Sequence, residues 1–203
     1  SRGDSNQPVF SANGRFGLVF DGEIYQLDSL RDELNRAGFR CEDHSTGSVL
    51  MKAWLAWGKS FVRKLHGAFA IAIVDLFEHR CFLIRDRVGA KPLYYAQIGP
   101  ELVFASSLKA IRRHPGFSAS PNLSAIRHYL TTLRLTMHNQ TLLQNVYTVL
   151  PAEIVSWEAG QLTRDSYWSP DQPLASSMSY ADAVNELSER LEAATDQALS
   201  CLR

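Results

Sequence analysis

Charged side chains of both signs are concentrated in one short segment, where they could form a reactive site. Arg85, Asp86, Arg87 and Lys91 follow one another closely around Gly89. Such a group can bind an ionic substrate or polarise a carbonyl group. The same residue types beside glycine and proline also order turns through ion pairs. We interpret the segment as a structural ion-pair network that orders a turn, and a charged functional site is the alternative.

A second candidate is the tripeptide Asp21-Gly22-Glu23, in which two carboxylates flank a glycine. Asp-Gly is a strong hairpin signal, so these residues alone predict a tight turn between strand segments at 15–20 and 23–25. A position in a binding pocket is the alternative. The histidines lack the spacing of metal ligands, and we assign no metal site.

The elements that must position these residues are dominated by one β-hairpin. Residues 68–75 alternate small and large side chains, residues 76–79 predict a turn, and residues 80–85 predict a returning strand. Both faces of the first strand are apolar, so both should be covered. Large side chains suit a helix layer, whereas alanines allow a second sheet to approach. We therefore predict an α+β fold, a four-layer αββα sandwich.

Further elements follow from apolar periodicity, turn residues and caps. We predict helices at 27–37, 48–57 and 107–113 and another begun by Asn122, strands at 93–96 and 102–106, and a hairpin at 153–157 and 161–167. Residues 169–177 are typical of a linker. Ser179 and Asp182 then resemble a capping box that opens a long helix. The domain boundary is predicted near Trp168.

The overall composition excludes several classes of protein. Of 203 residues, 45% are hydrophobic, and Lys+Arg and Asp+Glu both number 21. This balance gives no indication of a nucleic acid or an acidic membrane as partner. The sequence contains no apolar run of about 18 residues that could span a bilayer. Three widely spaced cysteines do not form a disulfide framework, which favours a reducing, cytoplasmic setting.

Several segments resemble class II glutamine amidotransferase domains fused to asparagine synthetases. They are LVFDGEIY at 18–25, HSTG at 44–47, LHGAFAI at 65–71, RDRVGAKPLYY at 85–95, FASSLKA at 104–110 and YW at 167–168. The run at 85–95 is very specific, and the resemblance covers nearly the whole chain. The chain is therefore identified as a member of this asparagine synthetase (glutamine-hydrolysing) family.

The resemblance implies an N-terminal nucleophile fold in which an N-terminal cysteine attacks the side-chain amide of glutamine. The terminal amine serves as base, and hydrogen-bond donors hold the oxyanion. Ammonia then passes to a C-terminal synthetase domain, which uses ATP and Mg²⁺ to activate aspartate. Residues 1–168 should be the amidotransferase domain, 169–177 a linker and 178–203 the first helix of the synthetase domain. No cofactor is expected on this segment, and a homo-oligomer is left open.

The ends of the chain suggest a fragment of that larger enzyme. It has no initiator methionine, and it starts after the family's cysteine and stops before the family's ATP-binding loop. We expect the segment alone to be inactive, with no catalytic residue of its own. We also expect exposed strand edges, because the N-terminal strands of the sheets would be missing, and a tendency to associate.

Two residues depart from the family pattern within the glutamine pocket. Asp21 stands where the family has an asparagine that donates to the oxyanion, and a carboxylate has no such donor. Loss of one donor costs about 100- to 1000-fold in rate in other enzymes. Thr46 stands where the family has an aspartate that pairs with the glutamine α-amino group. Gly22 and Glu23 match the pattern and complete the predicted pocket positions.

These departures leave an alternative function open. The domain could be a degenerate pseudo-glutaminase scaffold on an ammonia-dependent enzyme, or on an amide ligase of the β-lactam synthetase or lasso cyclase type that acts on another carboxylate.

Two alternative functions from other classes of protein have weaker support in the sequence. Arg2-Gly3-Asp4-Ser5 spells an adhesion tetrapeptide, and Ser1 could be an N-terminal nucleophile. Ser1 precedes Asp21 too closely for the family's nucleophile strand.

Overall fold

The computed structural model describes residues 7–41, 43–134, 137–170 and 178–200, without the side chain of residue 200. The predictions for Ser1, for the tetrapeptide at 2–5, for most of the linker at 169–177 and for the end of the chain at 201–203 lie outside these residues. The chain forms two compact units. Of the described residues, the larger unit contains those within 7–22 and 68–168, and the smaller unit contains those within 23–67, 169–170 and 178–200.

The described elements are nine strands and five α-helices. The strands are β1 (Val9–Phe10), β2 (Phe16–Tyr25), β3 (His66–Asp75), β4 (Arg80–Arg85), β5 (Tyr94–Ile98), β6 (Glu101–Ala105), β7 (Val146–Thr148), β8 (Glu153–Glu158) and β9 (Gln161–Ser166). The helices are α1 (Leu27–Arg36), α2 (Thr46–Trp57), α3 (Leu108–Ile111), α4 (Leu123–Thr132) and α5 (Tyr180–Ser200). Among the described residues, none of the helices combines the length with the apolar composition that a bilayer-spanning segment requires.

The larger unit is built on two antiparallel sheets. One sheet has the order β1-β2-β3-β4-β8-β9, and the other has the order β6-β5-β7. The last residues of β2 and the first of β3 continue into the smaller unit. The α+β class with antiparallel sheets is confirmed.

The core of the larger unit lies between these sheets. Ala70 and Ala72 of β3 pack in one apolar cluster with Tyr95 of β5, which is fully buried. The small alanine side chains thus face the second sheet, as predicted. Phe69 and Ile71 on the opposite face of β3 are also buried. Both faces of this strand are therefore covered, which explains its continuous apolar sequence.

The local turn signals between β3 and β4 and between β8 and β9 are confirmed. Asp75 ends β3 and accepts hydrogen bonds from the backbone N–H groups of Phe77 and Glu78. The β8–β9 turn places Ala159 at φ 48° and Gly160 at φ 80°. Positive φ at both positions defines a type I′ hairpin turn, for which Asn-Gly is preferred.

A charge pair fixes the end of β3. The Arg15 guanidinium donates to both carboxylate oxygens of Asp75, with Nη2–Oδ2 at 2.7 Å and Nε–Oδ1 at 3.0 Å. The Asp75 side chain is 4% exposed. Hydrogen bonding to Arg15 lowers the pKa of Asp75. The carboxylate is therefore held ionised in the folded protein.

The smaller unit contains the predicted helices at their expected places. Leu30 and Leu34 of α1 are buried, and α2 begins two residues earlier than predicted and ends before Gly58. The Ser179 hydroxyl accepts the N–H of Asp182 and donates to its carboxylate, as expected at the start of α5. The apolar face of α5 is exposed in this unit. The assignment of α5 to a following domain stays a prediction.

Candidate functional site

Asp21, Gly22 and Glu23 lie within the continuous strand β2, so the predicted turn at Asp21-Gly22 is wrong. Gly22 has φ 127°, and a Cβ atom there would lie 2.0 Å from the carbonyl oxygen of Ala68. The glycine is needed because β3 approaches the β2 backbone too closely for any side chain. The Asp-Gly signal therefore marks a close approach of two strands and not a hairpin.

Glu23 continues the strand in the smaller unit, where its backbone makes a similar approach. A Cβ atom on Gly67, whose φ is 152°, would lie 2.1 Å from the Glu23 carbonyl oxygen. Glu23 is half-buried, whereas Asp21 is exposed.

The Asp21 carboxylate is paired with Lys91, a contact that the sequence analysis did not anticipate. Lys91 Nζ lies 3.3 Å from Asp21 Oδ1. The two side chains are 36% and 53% exposed. An ion pair at this exposure contributes at most about 1 kcal/mol to stability. Its main consequence is local, since a cation lies beside the carboxylate that occupies position 21.

The segment that carries Lys91 is ordered by the buried carboxylate of Asp86, which is 0% exposed. Its oxygens accept four backbone N–H groups, from Phe69 at 3.3 Å, Val88 at 3.1 Å, Ala90 at 3.0 Å and Lys91 at 3.0 Å. One side chain thus replaces the backbone partners that a tight loop cannot supply. The loop is fixed to β3 through Phe69.

Arg85 holds the same loop through a second set of hydrogen bonds, to backbone carbonyl oxygens. Its guanidinium donates to the carbonyl oxygens of Lys91 at 2.6 Å, Gly89 at 2.7 Å and Val149 at 2.8 Å. Burial lowers the pKa of Arg85. The turn is ordered as predicted, but Arg85 and Asp86 order it through backbone hydrogen bonds rather than through the expected network of ion pairs.

The end of β9 is attached to the same loop. The Tyr167 hydroxyl donates to the carbonyl oxygen of Arg85 at 2.8 Å, and burial raises the pKa of this hydroxyl. The Arg87 guanidinium lies over the Trp168 ring, 5.7 Å from its centroid, which is within range of a cation–π interaction. The Tyr-Trp pair therefore anchors the end of the larger unit to the loop that carries Lys91.

Asp21 also lines a cleft of about 220 Å³ in the larger unit. The other walls are mostly apolar and come from β2, β3 and β6 and from the residues that flank β5 and β6, among them Val19, Ala70, Leu93 and Phe104. The small side chain of Ala70 leaves room for the cleft. The arrangement can hold a small, partly apolar group against the Asp21 carboxylate.

Thr46 is the first residue of α2, in the smaller unit, and is half-buried. The cap of this helix is Ser45, whose hydroxyl accepts the N–H of Ser48 at 3.3 Å and donates to Asp43 at 2.7 Å. The hydrogen bonds from Ser45 lower the pKa of Asp43. Thr46 thus adds a neutral hydroxyl at a helix N-terminus.

Neither thiol of the described residues resembles an activated nucleophile. Burial raises the pKa of Cys81 to about 12, and burial also raises the pKa of Cys41. A thiol with a raised pKa is a poor nucleophile at neutral pH. Within the described ranges, no group of three or more His, Cys, Asp or Glu side chains is placed to hold a metal ion.

Comparisons with known proteins agree with this fold and with the motifs. Residues 1–168 match the family described as glutamine amidotransferase domain. Asparagine synthetase [glutamine-hydrolyzing] 3 of Bacillus subtilis is 27% identical over 154 residues, which is 76% of this chain and 25% of that protein. Asparagine synthetase [glutamine-hydrolyzing] 2 of the same organism is 35% identical over 112 residues, 55% of this chain and 15% of that protein. The chain thus spans a quarter or less of these relatives.

A solved structure shares the fold. Glutamine phosphoribosylpyrophosphate amidotransferase from B. subtilis superposes with a TM-score of 0.57 and 18% identity, over 81% of this chain and 32% of that chain. This likeness confirms the predicted fold of the N-terminal nucleophile type. The match over residues 1–168 shows that the chain belongs to the glutamine amidotransferase domain family.

Proposed function

We propose that this chain is the glutaminase domain of a longer, ATP-dependent amidotransferase of the asparagine synthetase type. The observation that carries the proposal is the match of residues 1–168 to the glutamine amidotransferase family. The curated relatives named above are glutamine-hydrolysing asparagine synthetases. In such an enzyme, glutamine is the substrate of this domain, and a synthetase domain of the same protein is its partner.

The chemistry is acyl transfer from the glutamine side chain. A nucleophile outside the described residues attacks the carboxamide carbon, and the carbonyl electron pair moves onto oxygen as the oxyanion. The C–N bond then breaks, and the nitrogen leaves as ammonia after it receives the proton lost by the nucleophile. Water releases glutamate from the acyl-enzyme. ATP and Mg²⁺ belong to the synthetase domain, which activates the acceptor carboxylate.

Asp21 is the position on which this chemistry depends most. A hydrogen-bond donor is needed near the oxyanion, and an ionised carboxylate supplies none. The Lys91 ammonium at 3.3 Å offsets the negative charge of Asp21. Position 21 is therefore part of a neutral pair, which favours a working glutaminase more than an isolated carboxylate would.

The second candidate function is a pseudo-glutaminase scaffold in a synthetase that takes its nitrogen from free ammonia or from an amine in the substrate. The chemistry of Asp21 and Thr46 favours it, because neither side chain supplies the group that the family pattern places there. In this case the domain binds glutamine weakly or not at all. Its remaining role would be to support the synthetase domain.

The nitrogen donor separates the two functions. We would measure amide formation from ATP and aspartate in the longer protein, with either glutamine or ammonium as the nitrogen source. The first function predicts product with glutamine and release of one glutamate for each amide formed. Product with ammonium alone would support the scaffold. Failure with both donors would exclude aspartate as the acceptor and direct the search to other carboxylates.

A further inference from the structure

We propose that the Lys91 ammonium, held by Asp21, is the group that stabilises the oxyanion in this protein. Asp21 then acts as a positioning residue, and the lysine supplies the donor that the carboxylate cannot. The proposal rests on the glutaminase function proposed above. It assigns Lys91 a direct contact with the reacting amide, beyond its place in an ordered loop.

The backbone of Lys91 is fixed at both of its polar groups. Its N–H donates to the Asp86 carboxylate at 3.0 Å, and its carbonyl oxygen accepts from Arg85 Nε at 2.6 Å. Asp86 is fully buried. The long side chain of Lys91 therefore starts from a well-defined point, which reduces the number of positions that its ammonium can take.

The tip of the side chain is directed by Asp21. Lys91 Nζ donates to Asp21 Oδ1 at 3.3 Å. An ammonium has three N–H donors, and this contact uses one. Among the described residues, the ammonium meets no other hydrogen-bond acceptor. Two donors are therefore left for an oxygen that approaches the pair.

The surroundings favour such an approach. Asp21 lines the cleft of about 220 Å³, whose walls include Val19, Ala70 and Phe104. The ammonium would donate a hydrogen bond to the oxyanion and keep its proton. No further reactant is needed for this role.

A mutant cycle at positions 21 and 91 tests the proposal in the longer protein, with glutamate release from glutamine as the readout. We expect Lys91→Met to lower kcat by about 100- to 1000-fold, the cost of one oxyanion donor, with KM changed little. Lys91→Arg should keep part of the activity. In the Asp21→Asn background the asparagine supplies its own donor, so Lys91→Met should cost less than about tenfold. Lys109→Met, on the exposed surface of α3, is the matched control.

Four results would overturn the proposal. If Lys91→Met leaves kcat within about threefold of the wild type, Lys91 is only a surface ion pair. Equal losses of kcat in both backgrounds would make the role of Lys91 independent of Asp21. A change in KM alone would make it a binding residue. If neither the wild type nor Asp21→Asn releases glutamate, the glutaminase function fails and the role of Lys91 fails with it. Denaturation midpoints of each variant identify any loss due to unfolding.

Discussion

Replacement of Asp86 should be among the most destabilising single changes in the larger unit. The carboxylate is fully buried and accepts the N–H groups of Phe69, Val88, Ala90 and Lys91. Phe69 is buried within β3, so water cannot replace the lost acceptor there. The other three donors lie in a loop in which Val88 is 76% exposed, and solvent can reach them in part.

The cost can be worked from these four bonds. A buried N–H left without an acceptor costs about 1–3 kcal/mol, and each of the other bonds contributes about 1 kcal/mol net. Asp86→Ala should therefore destabilise the protein by about 4–6 kcal/mol. Asp86→Asn keeps one acceptor oxygen and turns an amide N–H₂ towards donors. It should cost about 2–4 kcal/mol, because two of the four bonds are lost.

Urea denaturation at neutral pH, followed by tryptophan fluorescence, measures both changes. Asp32→Asn, at an exposed position on α1, is the control and should stay within about 0.5 kcal/mol of the wild type. If Asp86→Ala does not fold, Asp86→Asn provides the measurement. Surface substitutions usually change the free energy of unfolding by less than about 0.5 kcal/mol. If the Asp86 variants also stay within about 0.5 kcal/mol of the wild type, Asp86 does not hold the loop and β3 together as argued.

Three further changes test other parts of the fold. Gly22→Ala should lower the free energy of unfolding by more than about 3 kcal/mol, because its Cβ would lie 2.0 Å from a β3 carbonyl oxygen. Gly14 also has a positive φ, but a Cβ there meets no atom within 4 Å, so Gly14→Ala is the control. An equal loss of stability in the two variants would contradict the steric explanation. Ala159→Asn should raise the stability by about 0.5–1 kcal/mol and Tm by about 1–4 °C, since asparagine accepts positive φ more readily, and a fall in Tm would oppose the turn assignment. Arg15→Met should lower Tm at pH 7 through the loss of the Asp75 pair. The folded pKa of Asp75 is lowered, so this contribution is present above the unfolded value of about 3.9 and is lost as the pH falls through the folded value. Thermal unfolding at pH 7 and at pH 3 checks this, and a Tm difference that grows on acidification would contradict it.

The parts of the fold with local signals could be predicted from the sequence. The alternation at 68–75 and the turn after it are properties of neighbouring residues, and the β3–β4 pair forms as expected. Likewise, Asn122 caps α4 by accepting the N–H of Ala125. The short strands β1 and β7 were missed, because two or three residues carry no measurable periodicity.

The turn expected at Asp21-Gly22 shows why other parts could not be predicted. Local propensity favours a hairpin there, but the backbone of Ala68 approaches from a distant part of the sequence. The Asp21–Lys91 pair joins positions 70 residues apart, and no local pattern indicates such a contact. The charged run at 85–91 predicted an ordered turn. In the folded protein, Arg85 and Asp86 bond mainly to backbone groups, and only the folded geometry shows this.

The origin of the transferred nitrogen tests the central claim most directly. The longer protein would be given ATP, aspartate, glutamine labelled with ¹⁵N in the side-chain amide and an equal concentration of unlabelled ammonium. The proposed glutaminase function predicts that the amide product carries ¹⁵N and that glutamate appears in step with it. Unlabelled product without glutamate release would contradict the account and leave this domain as a scaffold.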